Sequence, residues 1–404
     1  MATLQATTQV HQGSGPAASA RLILFVTVFI DLLGFGIVIP YLPMFASLMG
    51  ISFVGIGVIM AVYSLAQFIF APILGRISDR IGRRPVIMLG LLGSSIGYLI
   101  YGFAGSFVGL FLSRAVHGAC AATISTAQAY IADTTDELNR ARGMGMIGAA
   151  FGLGFVLGPA IGGLLGQNNL RVPAFVAAAL TFANLLFAAV RLPESHQPDR
   201  SARIDLSLVL DPIRDLPMQL FGHHLSRLFS VSFLTTLAMA AFETTFAVMI
   251  SRAYGYGPRG VAVLLTFAGL VQALAQGYLL GKVVERMGEL RVLLIGIVIF
   301  AIGLAPLANM PTPSTLLLAM GMLSLGYGFA SPTIASIISK LASRDLEGEA
   351  LGINQSATSM ARIVGPLAGG FLYGAFGMSA PYLGGAAAAL MAFILARRIG
   401  LGAG

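Results

Sequence analysis

Two carboxylates stand where carboxylates are costly. Asp31 and Glu243 lie inside long apolar runs, whereas the other fourteen of the sixteen acids fall in polar connections or at the ends of runs. A carboxylate near a bilayer centre costs about 2.5–3.5 kcal/mol on insertion, so such residues face a wet cavity or a partner and mark ion or substrate paths. Asp31 is about ten residues into its run, roughly 15 Å at helical rise, which puts it near mid-membrane. The chemistry open to such an acid is proton exchange, and Asp31 and Glu243 are read as proton-coupling sites; the alternative is an acid held by a permanent partner. Two cations share this setting, Arg114 and Arg362. Arginine keeps its proton, so Arg114 is expected to bias a nearby carboxylate or to bind an anionic group of a ligand, and Arg362 is a secondary candidate; a fixed ion pair between helices is the alternative for both. His117, three residues on from Arg114 and on the same helical face, carries a ring that can gain a proton, with structural hydrogen bonding as its plainer role.

These residues need helices that cross a membrane. Hydrophobic residues make up 57% and charged residues 10% of the 404 positions, against roughly half and a quarter in soluble proteins. The chain therefore reads as an all-α integral membrane protein. A span needs about 20 residues to cross a core of roughly 30 Å, and runs of that size recur twelve times. They fall into six, a polar linker and six more: a tail over 1–21, spans within 22–191, a linker over 192–225, spans within 226–399 and a tail over 400–404. The first span is expected to end at Pro40 and Pro43, the second to cover 54–75 and the fourth 107–131. With the N-terminus placed inside, 19 of the 24 Lys and Arg fall in inner segments, so the positive-inside rule puts both termini in the cytoplasm. The net charge of +8 is then a topology signal, and no nucleic acid is implied, because no basic patch carries interleaved aromatics. Tyr41, Tyr101, Tyr254, Tyr256, Tyr373 and Tyr382 fall near outer ends, as an interfacial belt of aromatic rings would. The single cysteine, Cys120, excludes an intramolecular disulfide, and no metal site is expected.

The two halves are copies. Gly75-Arg76-Ile77-Ser78-Asp79-Arg80-Ile81-Gly82-Arg83-Arg84-Pro85 returns 206 residues later as Gly281-Lys282-Val283-Val284-Glu285-Arg286-Met287-Gly288, and Gly158-Pro159-Ala160-Ile161-Gly162-Gly163 returns 207 residues later as Gly365-Pro366-Leu367-Ala368-Gly369-Gly370. Duplicated halves in a membrane protein point to a transporter with its site between them near mid-membrane. The first motif packs four arginines and Asp79 into a connection of roughly ten residues, with Gly82 allowing a positive-φ turn. Charge placement alone does not require the acid, so the stretch is expected to act as a clasp that holds one conformation and releases in another. Span five carries Gly148, Gly152, Gly154, Gly158 and Gly162, a small-residue stripe that lets a second helix approach closely, and Pro159 is placed to bend it. Tyr63, Gln67, Gln128, Gln272, Gln276, Asn354 and Gln355 are possible polar contacts in a central cavity, or else bonds between helices.

The Gly75–Arg84 pattern is similar to motif A of the major facilitator superfamily. Asp31 to Pro40-x-x-Pro43, Arg114 with Gly118, and Gly148 to Gly163 resemble motifs D, B and C of its twelve-span drug:proton antiporters, in particular the tetracycline-type efflux branch. The resemblance runs from Leu22 to Arg398. It implies twelve transmembrane helices in two pseudo-symmetric six-helix bundles, a gating role for motif A with Asp133 joining Asp79 and Arg80 in a charge network, proton coupling through Arg114, and export in exchange for protons. One departure, Ile96-Gly97-Tyr98 where tetracycline exporters carry an acid, counts against tetracycline itself as cargo. No Gly-x-x-x-x-Gly-Lys-Ser/Thr loop is present, so ATP does not drive the process. The expectation is a proton-coupled exporter of small amphipathic or hydrophobic compounds in the inner membrane, a functional monomer with no cofactor besides the coupling proton. The alternatives are import of a sugar or organic acid and lipid translocation. An enzyme is not expected, since His117 and Cys120 have no further ligand candidates close by in sequence.

Overall fold

The computed structural model describes residues 16–135, 137–196, 223–309, 312–342 and 346–399. Residues 1–15 and 400–404, most of the linker, and Arg200, Arg203, Arg214 and Arg344 lie outside the described residues, as do the side chains of Arg140 and Arg142; residues 16–21 of the expected first tail are instead helical, as the start of α1. The first half contains α1 (Pro16–Val38), α2 (Leu42–Leu48), α3 (Phe53–Ile81), α4 (Arg83–Phe103), α5 (Phe107–Ala119), α6 (Thr123–Thr134), α7 (Glu137–Leu165) and α8 (Val172–Arg191). The second contains α9 (His223–Tyr254), α10 (Pro258–Leu274), α11 (Leu280–Met287), α12 (Glu289–Leu304), α13 (Pro313–Leu341), α14 (Glu347–Phe376) and α15 (Ala380–Arg397). Hydrocarbon offers no partner to backbone N–H and C=O groups, so a chain this apolar pairs them within helices. Eleven segments among the described residues are long and apolar enough to cross a membrane; the twelfth is α14, at 30 residues, with Glu347 and Glu349 in its first turn.

The twelve runs read from the sequence are all helical, and they differ from expectation in four places. Pro40 and Pro43 do not end the first span: a short 3-10 turn over Ile39–Tyr41 leads into α2, where Pro43 sits in the first turn and needs no N–H partner. The second span runs on to Ile81, so the expected ten-residue connection shrinks to Gly82 alone, at φ 104°, and Gly288 repeats the turn at φ 78°. The fourth span is broken at Cys120–Ala122, and the eighth carries a π-helical turn over Ala275–Leu279 between α10 and α11. The expected aromatic belt is also largely interior. Tyr41, Tyr101, Tyr373 and Tyr382 are buried; Tyr41 donates to the Pro159 carbonyl at 2.5 Å and Tyr373 stacks on Phe53 with ring centroids 4.0 Å apart. Tyr41 gains a partner inside, whereas the buried hydroxyls of Tyr373 and Tyr382 make no hydrogen bond among the described residues, and those rings are held by packing.

Glycines set how the helices meet. A Cβ on Gly154 would lie 3.0 Å from Leu32 Cβ, and one on Gly158 would lie 2.5 Å from Gly36 Cα, so α7 and α1 touch backbone to backbone. In the second half Gly365 and Gly369 press α14 onto Ala240 and Ala241 of α9 in the same manner. Two further contacts join the halves. Gly57 and Gly370 bring α3 against α14, and Gly163 and Gly269 bring α7 against α10. The first of these, with Gly163, lies at the end away from the basic residues, where Arg252 reaches Ser47 Oγ at 3.3 Å and covers the Phe53 ring at 4.7 Å. Toward the basic end the picture reverses: a Cβ on Gly75, Gly145, Gly148, Gly152, Gly277, Gly281, Gly348 or Gly352 would meet nothing within 4 Å. The halves are sealed at one end and splayed at the other. Gly148 and Gly152, expected to pack a neighbouring helix, instead face this open space.

Candidate functional site

The splayed end leads to the charged residues. Glu243 is exposed although both flanking stretches of α9 are buried, and Arg362 on α14 is exposed as well. Charges at mid-span do not face hydrocarbon at so high a cost, so these two line the cleft between the halves. They lie within electrostatic reach of each other and of Tyr327, and Arg362 also reaches Tyr63 across the cleft.

On the opposite wall, Asp31 lines a cavity with Phe35, Tyr63, Gln67, His117 and Thr123. With Ser94 of α4 also in the lining, five helices of the first half, α1 among them, meet at this cavity. Its Oδ1 is buried and has no hydrogen-bond partner. Arg114 is 2% exposed, with its guanidinium 4.1 Å above the Tyr63 ring, 5.8 Å from the Phe35 ring and 3.4 Å from His117 Nδ1. A desolvated guanidinium over an aromatic face is held by about 2 kcal/mol or more. Among the described residues no carboxylate lies within 4 Å of Arg114, so it is not locked in an ion pair. Of the other cavity candidates, Gln67 donates to the Ala121 carbonyl at 3.1 Å and so joins helices in this conformation, while Gln128, Gln276 and Gln355 are exposed and Gln272 and Asn354 half-buried. An acid in place of Gly97 would have no room: a Cβ there would lie 2.9 Å from His117 Cβ and 3.2 Å from the Ser113 carbonyl.

The clasp closes within the first half. Arg83, 8% exposed, pairs with Asp79, donates to Asp133 Oδ2 at 2.9 Å and to Ser78 Oγ at 2.6 Å. The expected network of Asp79 and Asp133 is present, with Arg83 rather than Arg80 between the acids. One Gly82 between two helices turns the first residue of α4 back onto α3, and that residue is Arg83. In the second half the corresponding residue is Glu289, which accepts from Lys340 at 3.0 Å and from Ser336 Oγ at 2.6 Å. Lys340 stands 207 positions after Asp133. The bridge is therefore repeated with its signs exchanged, and Glu289, not Glu285, is the acid that makes it; among the described residues Glu285 and Arg286 form no ion pair within 4 Å.

Sequence reasoning missed Glu194. It follows α8 by three residues, yet its carboxylate accepts from the backbone N–H of Arg83 at 2.8 Å and of Arg84 at 3.1 Å, and from its own neighbours Ser195 at 3.0 Å and His196 at 3.2 Å. It occupies the space a side chain on Gly82 would need. A carboxylate at a helix start satisfies free donors and opposes the helix dipole. No local signal announces this, because the partners are more than a hundred positions apart. Glu194→Ala is expected to lower stability by about 1 kcal/mol, with Glu194→Gln recovering part of it, as read by thermal unfolding of the purified protein.

The model of the Major Facilitator Superfamily matches the chain twice, over residues 24–227 and 228–400. The chain is 34% identical over 366 residues to the class E tetracycline resistance protein of Escherichia coli, covering 87% of each. It is 31% identical over 361 residues to multidrug resistance protein 2 of Bacillus subtilis, covering 87% of this chain and 88% of the relative. Among solved structures, the nucleoside transporter NupG superposes with a TM-score of 0.76 at 16% identity, over 94% of this chain and 98% of the other; at that identity the likeness concerns the fold.

Proposed function

Since this chain belongs to the Major Facilitator Superfamily, we propose that it is a secondary active transporter of the drug efflux type, a carrier and not an enzyme. In this reading it is a multi-pass protein of a bacterial cytoplasmic membrane with both termini inside, which exchanges protons for small amphipathic compounds. The names of its relatives, tetracycline and multidrug resistance proteins, support the class of cargo. The observation that carries the mechanism is Asp31, an acid in a cavity walled by Phe35, Tyr63 and His117, below a cleft that opens at the basic and hence inner end. Cargo enters from the inner side against an apolar and aromatic wall. Its arrival and the loss of a proton from Asp31 favour closure of the splayed end and opening of the sealed one; reprotonation from outside reverses the change. Each cycle then uses the proton gradient once, without a phosphate-binding loop. Arg114, held by Tyr63 and with no acid within 4 Å among the described residues, biases the charge state of the site without entering the exchange.

Reconstituted into liposomes with a pH-sensitive dye inside, the protein is expected to move protons in the direction opposite to an added hydrophobic cation such as ethidium. Proton movement in the same direction as cargo, or none, would overturn antiport.

A further inference from the structure

The break in the fourth span has no role in the mechanism above. Between α5 and α6 the chain leaves the helix at Cys120–Ala122, where Ala122 N turns back to the Cys120 carbonyl at 2.8 Å. The next helix, α6, begins at Thr123 without a side-chain cap. Irregular backbone at membrane depth is tolerated where it is buried in protein or lines a cavity. This one lines the Asp31 cavity through Ala121 and Thr123.

Oxygen atoms gather at that point. Asp31 Oδ1 and Thr123 Oγ1 are both buried and both lack a hydrogen-bond partner, although the hydroxyls of Thr123 and Ser94 face the carboxyl group. Thr123 is 2% exposed. Gln67 spends its amide N–H on the Ala121 carbonyl, so its own oxygen remains for the cavity. The cavity is about 20 Å³, room for one particle of water size. A carboxylate oxygen and a hydroxyl oxygen left unpaired in one small site, with the Ser94 hydroxyl and the Gln67 carboxamide oxygen beside them, are oxygen donors of the kind a hard cation takes. The break places the start of α6 beside Asp31, where a helix N-terminus supports negative charge, as in other transporters with discontinuous helices.

We propose that this cavity is a Na⁺ site, in which Asp31, Thr123, Ser94 and the Gln67 carboxamide hold the ion in competition with a proton on Asp31. The titratable and charged groups facing it are Asp31, Tyr63, Tyr98, His117 and, behind Tyr63 and His117, Arg114. One carboxylate opposed by a distant guanidinium gives weak, readily exchanged binding. The smaller Na⁺ needs less room than K⁺ in a cavity of about 20 Å³. The site shares Asp31 with the proposed antiport, but ion binding to the purified protein succeeds or fails whatever drives export.

The test is binding of radioactive Na⁺ to the protein in nanodiscs, with K⁺ or choline as competitor. Saturable binding that K⁺ and choline do not displace, and that acid does, is expected. Na⁺ raises the melting temperature of a protein that binds it only when folded, and Thr123→Val is expected to weaken that response by about tenfold or more, with Thr123→Ser restoring it. If Thr123→Val does not fold, the wild-type displacement and Asp31→Asn decide. Equal displacement by K⁺, a Na⁺ response retained in Asp31→Asn, or no bound Na⁺ at any pH, which leaves a site for water only, overturns the proposal.

Discussion

Asp31→Asn is expected to abolish proton-driven accumulation of cargo in inside-out vesicles while the protein remains inserted and folded. Asparagine keeps the shape of the side chain and removes the one property the mechanism uses, its ability to gain and lose a proton. Because a mid-membrane charge costs about 2.5–3.5 kcal/mol, the neutral variant should be no less stable than the parent, which separates a coupling defect from a folding defect. Downhill equilibration of cargo is expected to persist at a reduced rate. Accumulation that stays fully dependent on the pH gradient in this variant would rule out Asp31 as the coupling group. Glu243→Gln is the informative companion: Glu243 faces the open cleft on the other wall, so it should alter the apparent affinity for cationic cargo more than the coupling.

Gly57→Leu is expected to trap the transporter by wedging the sealed end. A Cβ on Gly57 runs into the Pro366 carbonyl and lies 3.2 Å from Leu367 Cα, while one on Gly370 runs into the Phe53 carbonyl. These are main-chain atoms of the opposite half, so no rotamer change relieves the clash. Overpacking of this sort costs about 1–3 kcal/mol, charged only to the conformation sealed at that end, and shifts the two-state balance by about 5–150-fold. Labelling of Ser47→Cys by a membrane-impermeant maleimide should quicken accordingly, and export should fall. Gly148→Leu supplies the mirror experiment: a side chain there meets nothing in the present conformation, and it is expected to obstruct closure of the splayed end. Unchanged labelling in Gly57→Leu would mean that the α3–α14 contact does not hold that end closed.

The spans and the halves were legible because lipid imposes a run length and duplication leaves a fixed offset. Gly82 was legible as a positive-φ turn, but the ten-residue connection read around it is a single residue, and Gly288 repeats that turn. What escaped depends on distance in the chain or on competition between roles. Pro40 and Pro43 read as stops, but a proline in the first turn of a new helix redirects the span. The tyrosines read as interfacial, yet Tyr41 found the Pro159 carbonyl. Cys120–Ala122 holds no glycine or proline to mark a break, and Glu194 meets its partners only after the bundle has closed. The stripe on span five was read as one surface, whereas Gly158 and Gly162 face α1, Gly163 faces α10 and Gly148 faces the cleft.

The exchanged signs of the two bridges constrain how such halves can diverge. Reversing the sign at only one position of either pair puts two acids or two cations face to face, so Arg83 is coupled to Asp133 and Glu289 to Lys340. A chimera that grafts the α13 terminus of the second half onto α6 of the first would set a lysine against Arg83 and lose its bridge, unless the residue after Gly82 were exchanged along with it.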